Sequence, residues 1–248
     1  MILRHNVRRD KKKIMVKIPS LEEMLKAGMH FGHHTSRWHP KMKPFIFTSR
    51  KGVYVIDLTK TQPMLETALN FIKKLVSEGK VVLFVGTKNQ VKSPLKKMAE
   101  ETGMPYVSEK WLGGCLTNFY IIKKTIKKYQ DLIDKRQTGK LEKYTKKERV
   151  DFDKEIGRLE IKVGGLVGLS KMPDALFVWD IKKEKTAVEE ARKKNVPIVA
   201  VCDTNVNPEP INYIIPANDD ATKAIKLILN SVRGAIEEGK QEAGKDKN

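Results

Sequence analysis

The strongest constraint on this chain is a rhythm of short apolar runs alternating with helix-length amphipathic segments. Val81 to Val85 is apolar at every position, the pattern of a strand buried on both faces. Before it, a segment opening at Asp57 or Thr59 sets Leu65, Leu69, Ile72 and Val76 at helical spacing and stops at Gly79. After it come a helix around Pro94 to Thr102 and a short strand at Tyr106-Val107. The rhythm returns with strand Ala175 to Trp179, a helix near Lys185 to Lys193, strands Ile198 to Val201 and Tyr213 to Ile215, and a helix from Ala221 to about Glu238. Strands that alternate with helices predict an α/β fold, a doubly wound, mostly parallel sheet of flavodoxin-like type. Near the start, Ser20 with Glu23 forms a capping box for a helix over Leu21 to Ala27 that Gly28 stops. Phe45-Ile46-Phe47 and Val53 to Ile56 flank Arg50-Lys51-Gly52 and read as a hairpin.

Residues 119–168 break the rhythm. Ile122, Ile126, Tyr129 and Ile133 recur at steps of four, three and four; Phe152, Ile156, Leu159, Val163 and Leu166 follow a similar pattern. Those are a/d steps, so each helix shows one narrow apolar seam. Thr145 to Glu148 is a capping box that starts the second helix after a polar loop. The expectation is an antiparallel coiled-coil hairpin inserted into the α/β domain and projecting from it. Trp111, Gly113, Gly114 and Asn118 on the outward path, and Gly164 and Gly165 on the return, read as its hinge. The domain plan is therefore a basic extension over 1–19, an α/β body over 20–118 and 169–238, the hairpin over 119–168, and a polar, disordered tail over 239–248.

Charge narrows the function. The 248 residues carry 49 Lys and Arg against 30 Asp and Glu, a net +19, and such a field draws polyanions, of which nucleic acid is the commonest. Residues 1–19 alone hold seven basic side chains against Asp10, an arm expected to order on a polyanion. Between residues 120 and 162 the hairpin carries 14 Lys and Arg against 8 Asp and Glu, a net +6 on thin helices. The longest apolar runs are strand-sized, which argues against a membrane span, and the start of the chain has no apolar core of a secretory signal. Cys115 and Cys202 are too few and too far apart for a disulfide framework, so a reducing cytoplasm is expected.

Candidate sites are distributed. Arg37, Trp38, Lys41, Lys43 and Arg50 interleave cations with aromatic rings and suit irregular RNA, with Phe45 and Phe47 expected in the core and Trp38 exposed. Lys123, Lys124, Lys127, Lys128, Lys146 and Lys147 are the phosphate candidates on the hairpin. Gly86-Thr87-Lys88 follows the strongest strand but is neither a dinucleotide nor a P-loop fingerprint. His33 with Asp203, Asp219 and Asp220 could hold a divalent ion; the simpler reading has Asp219 and Asp220 capping the last helix and Asp203 fixing a turn. No nucleophile–base arrangement is legible. An enzyme on a flavodoxin-like fold and a free RNA-binding regulator are two classes that these residues leave open.

The run Trp111-Leu112-Gly113-Gly114-Cys115-Leu116-Thr117-Asn118 resembles a signature of the bacterial small-subunit ribosomal protein S-two family. Met24 to His33, Trp38 to Phe47, Leu83 to Lys88, Pro173 to Val178, Asp203 to Asn205 and Pro216 to Ala221 resemble its other motifs in the same order, from about Leu21 to Glu238. His39 stands where the family usually has Asn, and Arg37 is shifted by one place. The resemblance implies a structural component of the small ribosomal subunit, with no catalysis, no cofactor and no small-molecule substrate. It implies contact with rRNA near the head–body junction, with the RNA-binding protein S-one and with neighbouring small-subunit proteins.

Overall fold

The computed structural model describes residues 18–245. The basic extension, apart from its last two residues, lies outside the described residues. In chain order the elements are α1 (Leu21–Lys26), β1 (Phe31–His34), β2 (Ile46–Arg50), β3 (Val53–Ile56), α2 (Leu58–Ser77), β4 (Val82–Val85), α3 (Asn89–Glu101), β5 (Tyr106–Val107), α4 (Phe119–Gln137), α5 (Lys146–Val163), β6 (Ala175–Trp179), α6 (Lys185–Lys193), β7 (Ile198–Cys202), β8 (Tyr213–Pro216) and α7 (Thr222–Lys245). Five parallel strands run in the order β5-β4-β6-β7-β8. That is the flavodoxin-like order, with its topological switch between β4 and β6. Among the described residues no helix is long and apolar enough to cross a membrane.

Side chains that alternate along each strand feed two separate cores. Val82 and Phe84 of β4, Ala175, Phe177 and Trp179 of β6, and Val199 and Val201 of β7 face α1, α2, α3 and α7. Leu83, Val85, Leu176, Val178, Ile198, Ala200 and Cys202 face the other way, against α4, α5 and α6. Both faces of the sheet are dry, which is why its strands lack the polar alternation of a half-exposed strand. Each fully buried Val, Leu or Phe contributes about 1.5–3 kcal/mol relative to exposure.

A second sheet, order β1-β3-β2, is antiparallel. The expected hairpin is its β2–β3 pair, turned by Lys51 (φ 50°) and Gly52 (φ 77°). β1 went unread because Phe31 to His34 is glycine- and histidine-rich. Two expectations at the end of the chain need correction. The helix does not stop near Glu238; it runs to Lys245. Lys73 pairs with Glu238 (3.0 Å) and Glu242 (2.8 Å), and Lys240 Nζ donates to the Thr102 carbonyl at 2.6 Å. These contacts hold a stretch that composition alone reads as a tail. Nor do Asp219 and Asp220 cap α7: Asn218 Oδ1 accepts from the Asp220 and Ala221 amides at 2.8 and 3.1 Å.

Helices α4 and α5 pack against each other in opposite directions, shown by the ion pairs Lys128–Glu155 (2.7 Å) and Arg136–Asp153 (3.9 Å). Ile122, Ile126, Ile156, Leu159 and Val163 are buried as the periodicity predicts, with Tyr129, Ile133 and Phe152 half-buried beside them. Leu132, one place off the a/d steps, is buried as well. A 3.6-residue helix drifts against a 3.5-residue repeat, so the stripe broadens toward the tip. The seam belongs to the same apolar cluster as the α6-side face of the sheet.

The junction is anchored rather than loose. Glu190 of α6 is buried, and its Oε1 accepts from Trp111 Nε1 (3.0 Å) and the Gly114 amide (2.8 Å). Its Oε2 accepts from the Leu116 amide (2.9 Å) and from the amide and hydroxyl of Thr117, both at 3.0 Å. Burial works against the charged form, yet the donors at Thr117, Trp111, Leu116 and Gly114 hold the carboxyl below the usual range. Gly114 sits at φ 88°, and a Cβ on Gly165 would meet the Tyr106 carbonyl at 2.3 Å. These two glycines of the expected hinge thus serve backbone conformation and close approach, and Asn118 precedes α4 without a side-chain cap.

Because seam and sheet share a core, Leu159→Ala is expected to cost about 2–5 kcal/mol. A single unfolding transition in urea is expected, and separate melting of arm and body would contradict it. Glu190→Gln is expected to destabilise by about 1.5–3 kcal/mol at neutral pH, since an amide cannot accept five hydrogen bonds on two carboxylate oxygens. A depressed folded-state pKa stabilises above the unfolded value and is lost as pH falls, so the deficit of Glu190→Gln shrinks in acid. A deficit independent of pH, followed by urea midpoints, would rule this out.

Candidate nucleic-acid interface

The cations singled out in the sequence fall on two surfaces. The first surrounds the small sheet. Arg37, Lys41, Lys43 and Arg50 are all exposed. Lys41 is ion-paired to Glu209; Arg37, Lys43 and Arg50 have no acidic partner among the described residues. Directly opposed residues of an antiparallel pair share a face. Arg50 and His34 flank Val53, and Thr48 and Phe31 flank Val55, so these side chains lie on one face. Exposure of Phe31 (52%) marks that face as the open one.

Two aromatic assignments reverse here. Phe47, expected in the core, is 73% exposed, because the β2–β3 register shifts between Ile46 and Thr48 and leaves it as the extra residue of a bulge. Trp38, expected to be exposed, is half-buried with its ring 5.0 Å from that of Tyr54. Phe45 packs against the second core as expected. Period-2 counting cannot reveal a bulge, so Phe47 was not legible as a surface residue. Exposed Phe31 was missed along with strand β1.

The second surface is on α4 and α5. Lys123, Lys124 and Lys127 line a groove of about 600 Å³ with Tyr120, Val167 and Leu169. Lys124 Nζ lies 4.5 Å from the centre of the Tyr120 ring, a cation–π contact that keeps a 66% exposed aromatic beside a charge. Lys128 is instead bound to Glu155. Lys146 and Lys147 are exposed in the first turn of α5. Positive charge there opposes the helix dipole and raises the local potential. The groove brings Lys123, Lys124 and Lys127 together and leaves Lys146 and Lys147 at the other end of the pair.

The histidine–carboxylate cluster lies beside the sheet's switch point. Lys88, just after β4, contacts Asp219 (2.7 Å), Asp220 (2.6 Å) and Asp180 (3.6 Å). His33 Nδ1 is 3.1 Å from Asp203 Oδ2, and Nε2 is 3.8 Å from Asp220 Oδ2. The hydrogen bond that His33 donates to Asp203 holds the imidazole above its usual pKa, and burial with the neighbouring Asp203 charge lifts the Asp219 carboxyl to about 7. Asp203 also fixes its turn, accepting from the Thr204 amide at 2.5 Å. The crevice is thus filled by the chain's own ion pairs where a flavodoxin-like enzyme would hold a nucleotide. Burial pushes the Cys115 thiol up to about 12 and raises that of Cys202, so neither is a ready nucleophile.

The family model described as Ribosomal protein S2 matches residues 24–239. The chain is 48% identical over 224 residues to "Small ribosomal subunit protein uS2" of Coprothermobacter proteolyticus, covering 90% of this chain and 84% of that protein. A match of this extent includes the α/β body, the α4–α5 pair and the Glu190 junction alike; the chain belongs to the ribosomal protein S2 family.

Proposed function

We propose that this protein is a non-catalytic structural component of the small ribosomal subunit in the cytoplasm, holding rRNA with two cationic surfaces. The observation that carries the reading is the placement of unpaired cations around exposed aromatics. Arg37, Lys43 and Arg50 surround the small sheet with Phe31 and Phe47, and Lys123, Lys124 and Lys127 surround Tyr120. Cations neutralise phosphates, and the flat rings offer stacking for unpaired bases.

In this reading α4 and α5 form an antiparallel coiled-coil hairpin that lies along rRNA near the head–body junction. The Glu190 junction sets its angle on the body. The α/β body meets neighbouring small-subunit proteins and protein S-one, as the family resemblance implies. Lys146 and Lys147 at the far end of the pair take phosphates from a second RNA segment.

The protein is expected to sediment with small subunits and to be released by salt. Phosphate contacts liberate counterions, so six or more of them imply a fall of ~10³ in affinity between 50 and 200 mM salt. Retention that does not change with salt, or binding to one free RNA and not to subunits, would overturn the reading. The two chemistries of the first surface separate experimentally. Phe47→Ala is expected to weaken subunit binding by roughly five- to a hundredfold with the salt slope unchanged, because a lost base stack is worth ~1–3 kcal/mol. Arg50→Gln is expected to reduce the slope by about one. Binding constants measured at several salt concentrations distinguish them; a Phe47→Ala protein that binds normally removes the stacking role.

A further inference from the structure

We propose that His33, Asp203 and Asp219 bind one divalent ion of the zinc class, which fastens the small sheet to the carboxyl ends of the parallel sheet. The three residues come from β1, the end of β7 and the loop after β8, segments distant in the chain. One ligand atom from each lies within 4.8 Å of the others.

The hydrogen bonds around the cluster decide which atoms are free to bind. Asp203 Oδ1 is occupied by the amide and hydroxyl of Thr204 (2.5 and 3.1 Å). Asp219 Oδ1 is occupied by Lys88 Nζ at 2.7 Å. The remaining oxygens are Asp203 Oδ2, which meets His33 Nδ1 at 3.1 Å and a long contact from the Asp219 amide at 3.4 Å, and Asp219 Oδ2. Asp219 Oδ2 is buried and has no hydrogen-bond partner, on a residue only 1% exposed. A proton on His33 would account for its contact with Asp203 but would leave that oxygen unsatisfied. A metal ion satisfies all three atoms.

Distances and charge agree with this. Ligands at about 2.0–2.1 Å from a tetrahedral zinc ion stand roughly 3.3 Å apart, close to the His33–Asp203 separation. Asp219, within 4.8 Å of the other ligand atoms, would need to close by up to about 1.5 Å. Asp180, Asp219 and Asp220 surround the Lys88 ammonium and Asp203 adjoins His33, a local excess of negative charge inside a chain of net +19. Asp220 Oδ2, 3.8 Å from His33 Nε2, is placed to orient the imidazole as an outer-shell carboxylate. An imidazole with carboxylates suits zinc and its neighbours better than the all-oxygen preference of calcium or magnesium. The scaffold is already tight: the His33 amide donates to Thr204 Oγ1 at 2.8 Å, and a Cβ on Gly32 would meet Thr204 at 2.6 Å.

The test uses the full chain, stripped with a chelator and dialysed against micromolar zinc. One zinc per chain is expected by elemental analysis, with a rise in melting temperature of several degrees, since an ion that binds only the folded state stabilises it. His33→Ala and Asp219→Asn are each expected to weaken zinc binding at least tenfold and to lose the thermal rise, while His34→Ala keeps both. X-ray absorption of the zinc-loaded wild type should show a single imidazole with oxygen neighbours. The proposal is overturned if the wild type retains no zinc, if zinc remains undiminished in His33→Ala and Asp219→Asn, or if absorption shows sulfur or several imidazoles. The absorption result decides the question even if a variant does not fold.

Discussion

Burial of the five-stranded sheet on both faces is the constraint from which the rest of the molecule follows. Parallel strands cannot be joined by tight turns, so the crossovers β4–β5, β5–β6 and β6–β7 each span the sheet and bring helices with them. Alternate side chains of β4, β6 and β7 then enter opposite cores, one closed by α1, α2, α3 and α7, the other by α4, α5 and α6. The second core would be incomplete without the connection from β5 to β6. The α4–α5 pair therefore has two duties: its apolar side completes the sheet's covering, and its exposed faces carry lysines.

That arrangement places a burden on the junction, where an outward and a return path pass close together. One buried carboxylate handles it. Glu190 gathers the indole, three amides and a hydroxyl of residues 111–117, of which the Trp111 indole and the Leu116 amide would otherwise be buried donors without acceptors. The charge is tolerable because each oxygen is fully engaged, and it fixes the direction in which α4 leaves the body.

Charge is divided by depth. The charged residues buried among the described ones are all acidic, Glu184, Glu190, Asp203 and Asp219, and Glu190 and the Asp203–Asp219 cluster organise loops. Cations are spread outside, where counterions screen them. The same chain can therefore be strongly basic toward a partner and locally acidic at the crevice where related folds bind nucleotides. Filling that crevice with Lys88 and its three aspartates fits a protein whose surfaces, and not its cleft, are its working parts.

Much of the fold was legible because it follows local periodicity. The continuous apolar run at Val81 to Val85 and the capping boxes at Ser20 and Thr145 each depend on neighbours within a few residues and are found as read, while the seam of α4 and α5 is found broadened by Leu132. The family was legible from ordered motifs for the same reason. What escaped depends on contacts across the chain. Glu190 resembles any surface glutamate of α6 until residues 111–117 close over it. The Gly114–Gly165 junction reads as flexible until Glu190 and the Tyr106 carbonyl are seen against it. Phe47 points outward only because a bulge shifts its register, and Trp38 turns inward onto Tyr54. The helix beyond Glu238 exists because Lys73 of α2 holds it. Local sequence sets which elements can form; which polar group meets which partner is settled only when distant segments pack, since desolvation makes an unpaired buried group costly and leaves few arrangements that avoid one.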